Sequence, residues 1–482
     1  MACKTCGNEE GWAERARVKY FTLVLVMGYV KTKLACTLGP SLSTVEEIVK
    51  AISLGCRIFR INFSHGDPAL WRQLAEDVRS AAKKAGCNVV LVGDLKAGSV
   101  RVAGLAKPVS FNIGETVEFN LDSDIKLPYP QFFKTVEVGD MLVADDGRVM
   151  LKVIAKKETS ITAEAIRQVT LSPNKSIVIK GKEVASPDYL EASRRELETA
   201  VELGMDFVGL SFVRDAEEIH SVRSYLEAEG SKMGLIAKVE TPSAVQNIDK
   251  ICEKSDAVLI ARGDLGMHFP LELVPKLQKT IIEAAYNACK PVIVATQLLG
   301  TMVNEPVPSR SEIVDVMSCV EDGVDVLMLT AETAVGQYPL ESIQWLSNIA
   351  ETYEKGTRLR RTIPPDSEVT DRFALAVVNL AESLAAKIAI FTMNGHMARR
   401  IARFKPVGGV IAATPNRHVL PRLQLMWGVV PLEIDAQSYA DGLEKLEQTL
   451  EAKGIAEQGD TFVLTYGLVN EPVHIVKMKR YQ

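Results

Sequence analysis

The sequence predicts an α/β protein built on a (β/α)8 barrel, with a small all-β domain inserted into it and an α/β domain after it. Three observations carry the prediction. Eight short apolar, β-branched runs are separated by segments of helical period, polar residues end nearly every run, and the helical period vanishes between Arg101 and Pro187.

The runs begin with KLACTL (33–38), RIFRIN (57–62) and VVLVGDL (89–95). They resume after the interruption with DFVGLS (206–211), GLIAKVE (234–240), DAVLIA (256–261), PVIVAT (291–296) and DVLMLT (325–330). Intervening stretches such as STVEEIVKAISLG and ELETAVELG close on Gly, where a helix C-cap belongs. An open doubly wound sheet has a similar strand signature, so closure is argued from the strand ends. These are Thr37, Asn62, Asp94, Ser211, Lys238 with Glu240, Arg262 with Asp264, Thr296 and Thr330. A scaffold strand has no need of them, whereas a barrel gathers its chemistry at that carboxyl face.

Between Arg101 and Pro187, VSFNIGETVEFN, KTVEVGDMLVADDGRVMLKVIAKK, TSITAEAI and NKSIVIKG alternate in the manner of strands joined by turns. The expected organisation is a barrel over 31–100 and 187–358, with a β lid over 101–186 that can close on its mouth. KGTRLRRTIPPDSEVTD reads as a linker to a C-terminal domain over 370–482, whose helix FALAVVNLAESLAAK precedes the strands IAIFT and GGVIAAT. Residues 1–30 read as an extension, disordered or lying before the true start, for which Met27 is a candidate.

Composition agrees with this division, since 482 residues at roughly 150 per domain fit about three domains. Hydrophobic residues at 47% and charged residues at 24% exclude disorder and a disulfide-stapled mini-fold. A net charge of -5 argues against a nucleic-acid binder, and no apolar run is long enough to span a membrane. The eight cysteines are scattered apart from Cys3 and Cys6, as expected of buried thiols in a reducing, cytoplasmic compartment. Cys3 and Cys6 form half of a zinc site with no second half, and read as incidental.

Glu240 and Asp264, from neighbouring strand ends, suit a hard divalent cation. Lys238 lies two residues before Glu240 in an extended run, on the same face. A lysine beside a metal makes an electrophilic clamp for an enolate or a phosphoryl group; a structural salt bridge is the competing reading. Arg60 and Asn62 share a face, with Ser64 and His65 in the next turn, a set of donors suited to phosphate oxygens. Arg60, Lys238 and Arg262 together are expected to present a cationic mouth to anionic substrates.

With these residues assembled, the chain from Lys31 onward resembles the pyruvate kinase family. The matching blocks are CTLGP (36–40), RINFSHG (60–66), GDLK (93–96), LSFVR (210–214) and AKVE (237–240). ARGDLG (261–266), KPVIVATQLL (290–299), PSRSE (308–312), DVLMLTAETAVGQYP (325–339) and MWGVVP (426–431) follow in the family's order. The resemblance implies transfer of a phosphoryl group from phosphoenolpyruvate to ADP, giving pyruvate and ATP. It gives Mg2+ (or Mn2+) to Glu240 and Asp264, and the moving phosphoryl and the enolate to Lys238. Arg60 would steady the phosphoryl group, and the amides of Arg262, Gly263 and Asp264 would receive the substrate carboxylate together with Thr296. Thr296 would also place the water chain that protonates the enolate.

The resemblance further implies that Arg60, Asn62, His65, Arg101 and Lys175 face the nucleotide. Asn62, Ser64, Asp94 and the Leu95 carbonyl would form a monovalent-cation site for K+. Thr392, Asn394, Gly395, His396 and Arg399 match the place where relatives bind a phosphorylated allosteric effector. A homotetramer is expected, with neither nucleic acid nor membrane as partner. The chain departs from the family at Ala97-Gly98-Ser99, which leaves K+ dependence and the lid hinge open. It also departs at Ala331, where a positive φ would strain Ala, and at His268, which replaces an acidic residue. Two rivals stand beside this reading: a metal-dependent enolpyruvate lyase or aldolase, and a non-catalytic phosphometabolite sensor.

Overall fold

The structure, a computed structural model, describes residues 30–96, 100–122, 124–145, 147–184, 188–355, 361–363, 367–467 and 474–482. The Cys3–Cys6 pair, Met27 and the hinge at Ala97, Gly98 and Ser99 lie outside the described residues. All eight expected runs form strands: Lys33–Thr37, Cys56–Asn62, Val90–Asp94, Phe207–Leu210, Gly234–Val239, Ala257–Ala261, Val292–Ala295 and Val326–Leu329. They pair in parallel, and the first meets the last with Lys33 opposite Val326 and Cys36 opposite Leu329. The barrel is closed, which excludes the open sheet.

Large and small side chains alternate to fill the interior, among them Ala35, Ile58, Ile236, Ala257, Leu259 and Ile293. The helices between strands start and stop where their caps dictate. Thr44 and Glu47 form a capping box ahead of Val45–Ser53, and Gly55 just beyond it takes φ +102°. Leu425, from the C-terminal domain, joins the interior cluster and stands 1% exposed, so the barrel floor is plugged from outside the barrel.

The inserted segment folds around its own core, which includes Phe119, Phe132, Leu151 and Ile177. Its main sheet has five antiparallel-paired strands, in the order Ile177–Ile179, Met141–Ala144, Val149–Lys156, Ser160–Ala165 and Thr116–Asn120. Val109–Phe111 pairs separately with Val169–Leu171. The segment is not all-β, since Pro130–Thr135 is a helix. Pro130 presets its first turn, and Phe132 and Phe133 bury completely against the sheet, so packing overrides the strand-like alternation of the sequence.

The C-terminal sheet runs Val429–Glu433, Val410–Thr414, Lys387–Phe391, Thr461–Gly467 and His474–Arg480, the last pair antiparallel. Its first helix begins at Val369, inside the stretch read as linker. Two buried lysines fasten this domain to the barrel. Lys33 Nζ donates to the Val429 carbonyl at 2.6 Å, and Lys405 Nζ lies 2.5 Å from Asp325 Oδ1.

Candidate active site

Asp94, at the end of the third barrel strand, organises the mouth. Arg60, from the second strand, donates Nε to Asp94 Oδ2 at 2.9 Å, a second guanidinium nitrogen binds the same oxygen, and the third reaches Thr37 Oγ1 at 3.0 Å. Lys238 Nζ stands 3.2 Å from Asp94 Oδ1, 2.9 Å from Glu240 Oε1 and 2.8 Å from Ser211 Oγ. Gly209 permits this crowding, since a Cβ there would stand 3.0 Å from Asp94 Oδ1 and 3.5 Å from Lys238 Cδ.

Burial alone would lower the Lys238 pKa, but Asp94 and Glu240 outweigh it and hold the ammonium well above the usual lysine range. Burial would likewise raise Asp94, yet Arg60 and Lys238 hold it below the usual carboxylate range. Both groups therefore remain charged across the neutral range. The competing salt bridge of the sequence reading is thus real, and it fixes the charges it joins in position.

Glu240 is fully buried. Its Oε2 accepts the Phe212 amide at 2.8 Å, while Oε1, beside Lys238, has no hydrogen bond of good geometry. Asp264 lies in the first turn of helix Arg262–His268 and adds to the charges that hold Lys238 protonated. An under-satisfied buried carboxylate oxygen with a second carboxylate nearby fits a hard cation completed by substrate and water. Among the described residues, no group of three or more His, Cys, Asp and Glu could hold a metal without such completion.

Three residues after barrel strands take the left-handed backbone: Phe212 at φ +55°, Thr296 at +67° and Gln297 at +56°. For β-branched Thr this is costly, and such strain collects at functional sites. It turns the Phe212 amide to Glu240 and sets Thr296 Oγ1 to accept the Gly263 amide at 2.9 Å. The Arg262 side chain does not join the cationic mouth. Its guanidinium binds the Thr296 carbonyl at 2.9 Å, the Gln297 carbonyl at 2.9 Å and Asp315 at 2.6 Å, leaving only its backbone for a ligand. Its charge is used to hold two adjacent strand ends together.

At the rim beyond the second strand, Asn62 Oδ1 accepts the Ser64 amide at 3.0 Å, and Arg101 reaches Ser64 Oγ at 3.1 Å. His65 is exposed at the rim. Desolvation, then the charges of Arg101, Arg60 and Lys175, hold its pKa below the usual histidine value. Lys175 itself pairs with Asp145 at 2.6 Å within the insert. The Leu95 carbonyl accepts Ser211 Oγ at 2.7 Å, so each of the four expected K+ ligand residues makes an internal contact here.

In the C-terminal loop, Thr392 Oγ1 accepts the Gly395 amide at 2.9 Å and Asn394 Oδ1 accepts the His396 amide at 3.1 Å. Arg399 lines a small cleft together with Asn394, Gly395 and His396, and also a larger cavity at the seam with the barrel. Ala331 opens helix Ala331–Ala334 and is not among the residues with positive φ, so the strain considered for it does not arise.

His268 gains an explanation. It is 6% exposed, lines a small cavity between barrel and insert beside Glu183 and Tyr189, and its Nδ1 has no partner. Burial pushes its pKa down to about 4. A depressed histidine contributes stability above its unfolded pKa and loses it as pH falls toward the folded value, here between about 6.5 and 4. At pH 5 the loss is about 2 kcal/mol. The fall in Tm from pH 7 to pH 5 is expected to shrink in His268→Met; an equal fall in both proteins would remove His268 from the acid response.

Sequence reading missed three contributors. Ser211 was noted only as a polar strand end, although it links Lys238 to the Leu95 carbonyl. Phe212 contributes an amide, which no side-chain pattern reveals. Asp315 lies 53 residues from the Arg262 it holds, and no local spacing signals that pairing.

A closed parallel barrel with fixed charges and an under-satisfied carboxylate at its carboxyl face defines a barrel enzyme of metal-assisted anion chemistry. The family model "Pyruvate kinase, barrel domain" matches residues 29–343, and "Pyruvate kinase, alpha/beta domain" matches residues 371–474. The chain belongs to the pyruvate kinase family. It is 38% identical over 461 residues to the pyruvate kinase of Pyrobaculum aerophilum, covering 93% of this chain and 96% of that protein. It is 34% identical over 453 residues to that of Aeropyrum pernix, covering 93% and 99%. The crystal structure of the Pyrobaculum aerophilum enzyme superposes with a TM-score of 0.82 at 37% identity, over 93% of this chain and 99% of that one.

Proposed function

We propose that this chain transfers the phosphoryl group of phosphoenolpyruvate to a β-phosphate oxygen of ADP, leaving an enolate that takes a proton at carbon to become pyruvate. The carrying observation is the nearly buried set Lys238, Asp94, Arg60 and Glu240, charged and held in position at the mouth by one another. Phosphoryl transfer needs positioning and charge neutralisation more than covalent chemistry, and fixed charges supply both without reorganising. A lyase has no use for the nucleotide-side cluster of Arg60, His65 and Arg101, and a mere sensor has no use for a strained, fully charged mouth.

Lys238 acts as a permanent charge rather than a proton donor, because its neighbours hold it protonated. It faces the moving phosphoryl group and then the enolate oxygen, with Arg60 on the nucleotide side. Protonation of the enolate falls to water placed by Thr296. The amides of Arg262, Gly263 and Asp264 receive the substrate carboxylate, which takes over the Gly263 amide that Thr296 Oγ1 accepts in this structure. Glu240 and Asp264 hold the divalent ion, Mg2+ or Mn2+, which neutralises oxygen charge when bound. The inserted domain acts as lid, with Lys175 leaving Asp145 for the nucleotide phosphates. Asn62, Ser64, Asp94 and Leu95 bind K+, and the loop of Thr392, Asn394, Gly395 and His396 takes a phosphorylated effector. A homotetramer in the cytoplasm completes the reading; the six unbridged cysteines among the described residues fit a reducing compartment.

The metal assignment is tested by Asp264→Asn. The Mn2+ concentration for half-maximal velocity at fixed phosphoenolpyruvate should rise by tenfold or more. An unchanged Mn2+ requirement would take Asp264 out of the metal site.

A further inference from the structure

At the end of the barrel opposite the catalytic mouth, a cavity of about 330 Å3 lies on the seam with the C-terminal domain. Lys279, Lys290 and Asp325 form its barrel side, and Arg399, Arg403 and Lys405 line the facing side. Most of these charges are matched. Lys405 lies 2.5 Å from Asp325, Arg403 lies 3.1 Å from Asp371, and Lys279 lies 3.4 Å from Asp322. Glu283 and Glu321 are exposed at the rim, where water solvates them.

Two cations are left over. Lys290 Nζ gives its hydrogen bonds to the carbonyls of Ser255 at 2.5 Å and Glu253 at 3.3 Å rather than to a carboxylate. Arg399 has no ion pair or side-chain hydrogen bond among the described residues, and its Nε is buried without a partner. Asp256, the acid that acts on both, is held by Arg223 at 2.9 Å. Burial, then the charge of Arg399, pushes the Lys290 pKa down to about 8. Arg399 also lines an adjoining cleft of about 60 Å3, with Arg422, Asp256 and the loop residues Asn394, Gly395 and His396.

A desolvated cation without a counter-charge is costly, and the arrangement is relieved by an anion that takes bonds from both groups. A phosphate group suits it, because a guanidinium presents a planar fork to tetrahedral oxygens and a lysine adds a point charge. We propose that the seam binds a phosphate group between Lys290 of the barrel and Arg399 of the C-terminal domain, bridging the two. Arg399 is shared with the expected effector residues, which it meets in the adjoining cleft, and Lys290 on the barrel side is what sets this site apart. It stands whichever substrate the catalytic mouth accepts.

The test is calorimetric titration of inorganic phosphate into the full chain at constant ionic strength set by chloride. A saturable isotherm is expected in the wild type and in Lys238→Met, weakened tenfold or more in both Arg399→Met and Lys290→Met. Arg399→Lys, which keeps the charge but loses the fork, should fall between them and guards against a folding defect. Tighter binding of glycerol 3-phosphate than of inorganic phosphate would identify a phosphate ester as the natural source, and equal binding free phosphate. No saturable heat, undiminished binding in Arg399→Met and Lys290→Met, or loss only in Lys238→Met would overturn the proposal.

Discussion

Lys238→Met is expected to lower kcat by more than about a hundredfold, which corresponds to about 2.7 kcal/mol or more of transition-state stabilisation. The size follows from the placement of the ammonium. It is nearly buried, held at 2.9 Å from Glu240 and 3.2 Å from Asp94, and kept protonated by both. In that environment a charge aimed at a developing oxyanion is worth far more than one in water. Methionine keeps most of the side-chain volume but leaves Asp94 and Glu240 without the ammonium, so stability should fall as well, and turnover is read at a temperature where the variant stays folded. Near-normal kcat in that variant would show that Lys238 only braces Asp94.

Asp94→Asn carries the second large effect, expressed first in stability. Asp94 is 3% exposed, and its carboxylate pairs with both Arg60 and Lys238. The amide is almost isosteric but leaves two nearly buried cations without their shared counter-charge, and breaking buried pairs costs roughly 3–5 kcal/mol. Turnover should fall too, since both cations lose the group that orients them. Denaturant unfolding of the two proteins reads the first effect and steady-state kinetics the second. Equal stability would mean that solvent already screens the cluster.

The contrast between what the sequence reveals and what it hides follows from distance along the chain. Barrel strands and their polar ends are local patterns, and register then forces those ends together, so Lys238 with Glu240 and the polar end Asp94 are legible, while the pairing of Asp94 with Arg60 and Lys238 is not. The helix Pro130–Thr135 was not, because two adjacent aromatics in a strand-like stretch disclose a helix only once the sheet they pack on exists. Arg262 misled for a related reason. Its place at a strand end suggested a ligand-facing cation, but its partners, the carbonyls of Thr296 and Gln297 and Asp315, become neighbours only after closure. The positive φ of Phe212 and Thr296 was equally hidden, since neither residue type announces such a backbone. The seam between barrel and C-terminal domain had no motif at all, being assembled from residues as far apart as Lys290 and Arg399.

The central claim is that the charged mouth passes a phosphoryl group from phosphoenolpyruvate to ADP. Its most direct test is simultaneous measurement of pyruvate and ATP from phosphoenolpyruvate, with ADP and Mg2+ each supplied or withheld. Equal amounts of pyruvate and ATP, formed only when ADP and Mg2+ are both present, are the expected result. Pyruvate released without ADP, or no pyruvate under any condition, would contradict it.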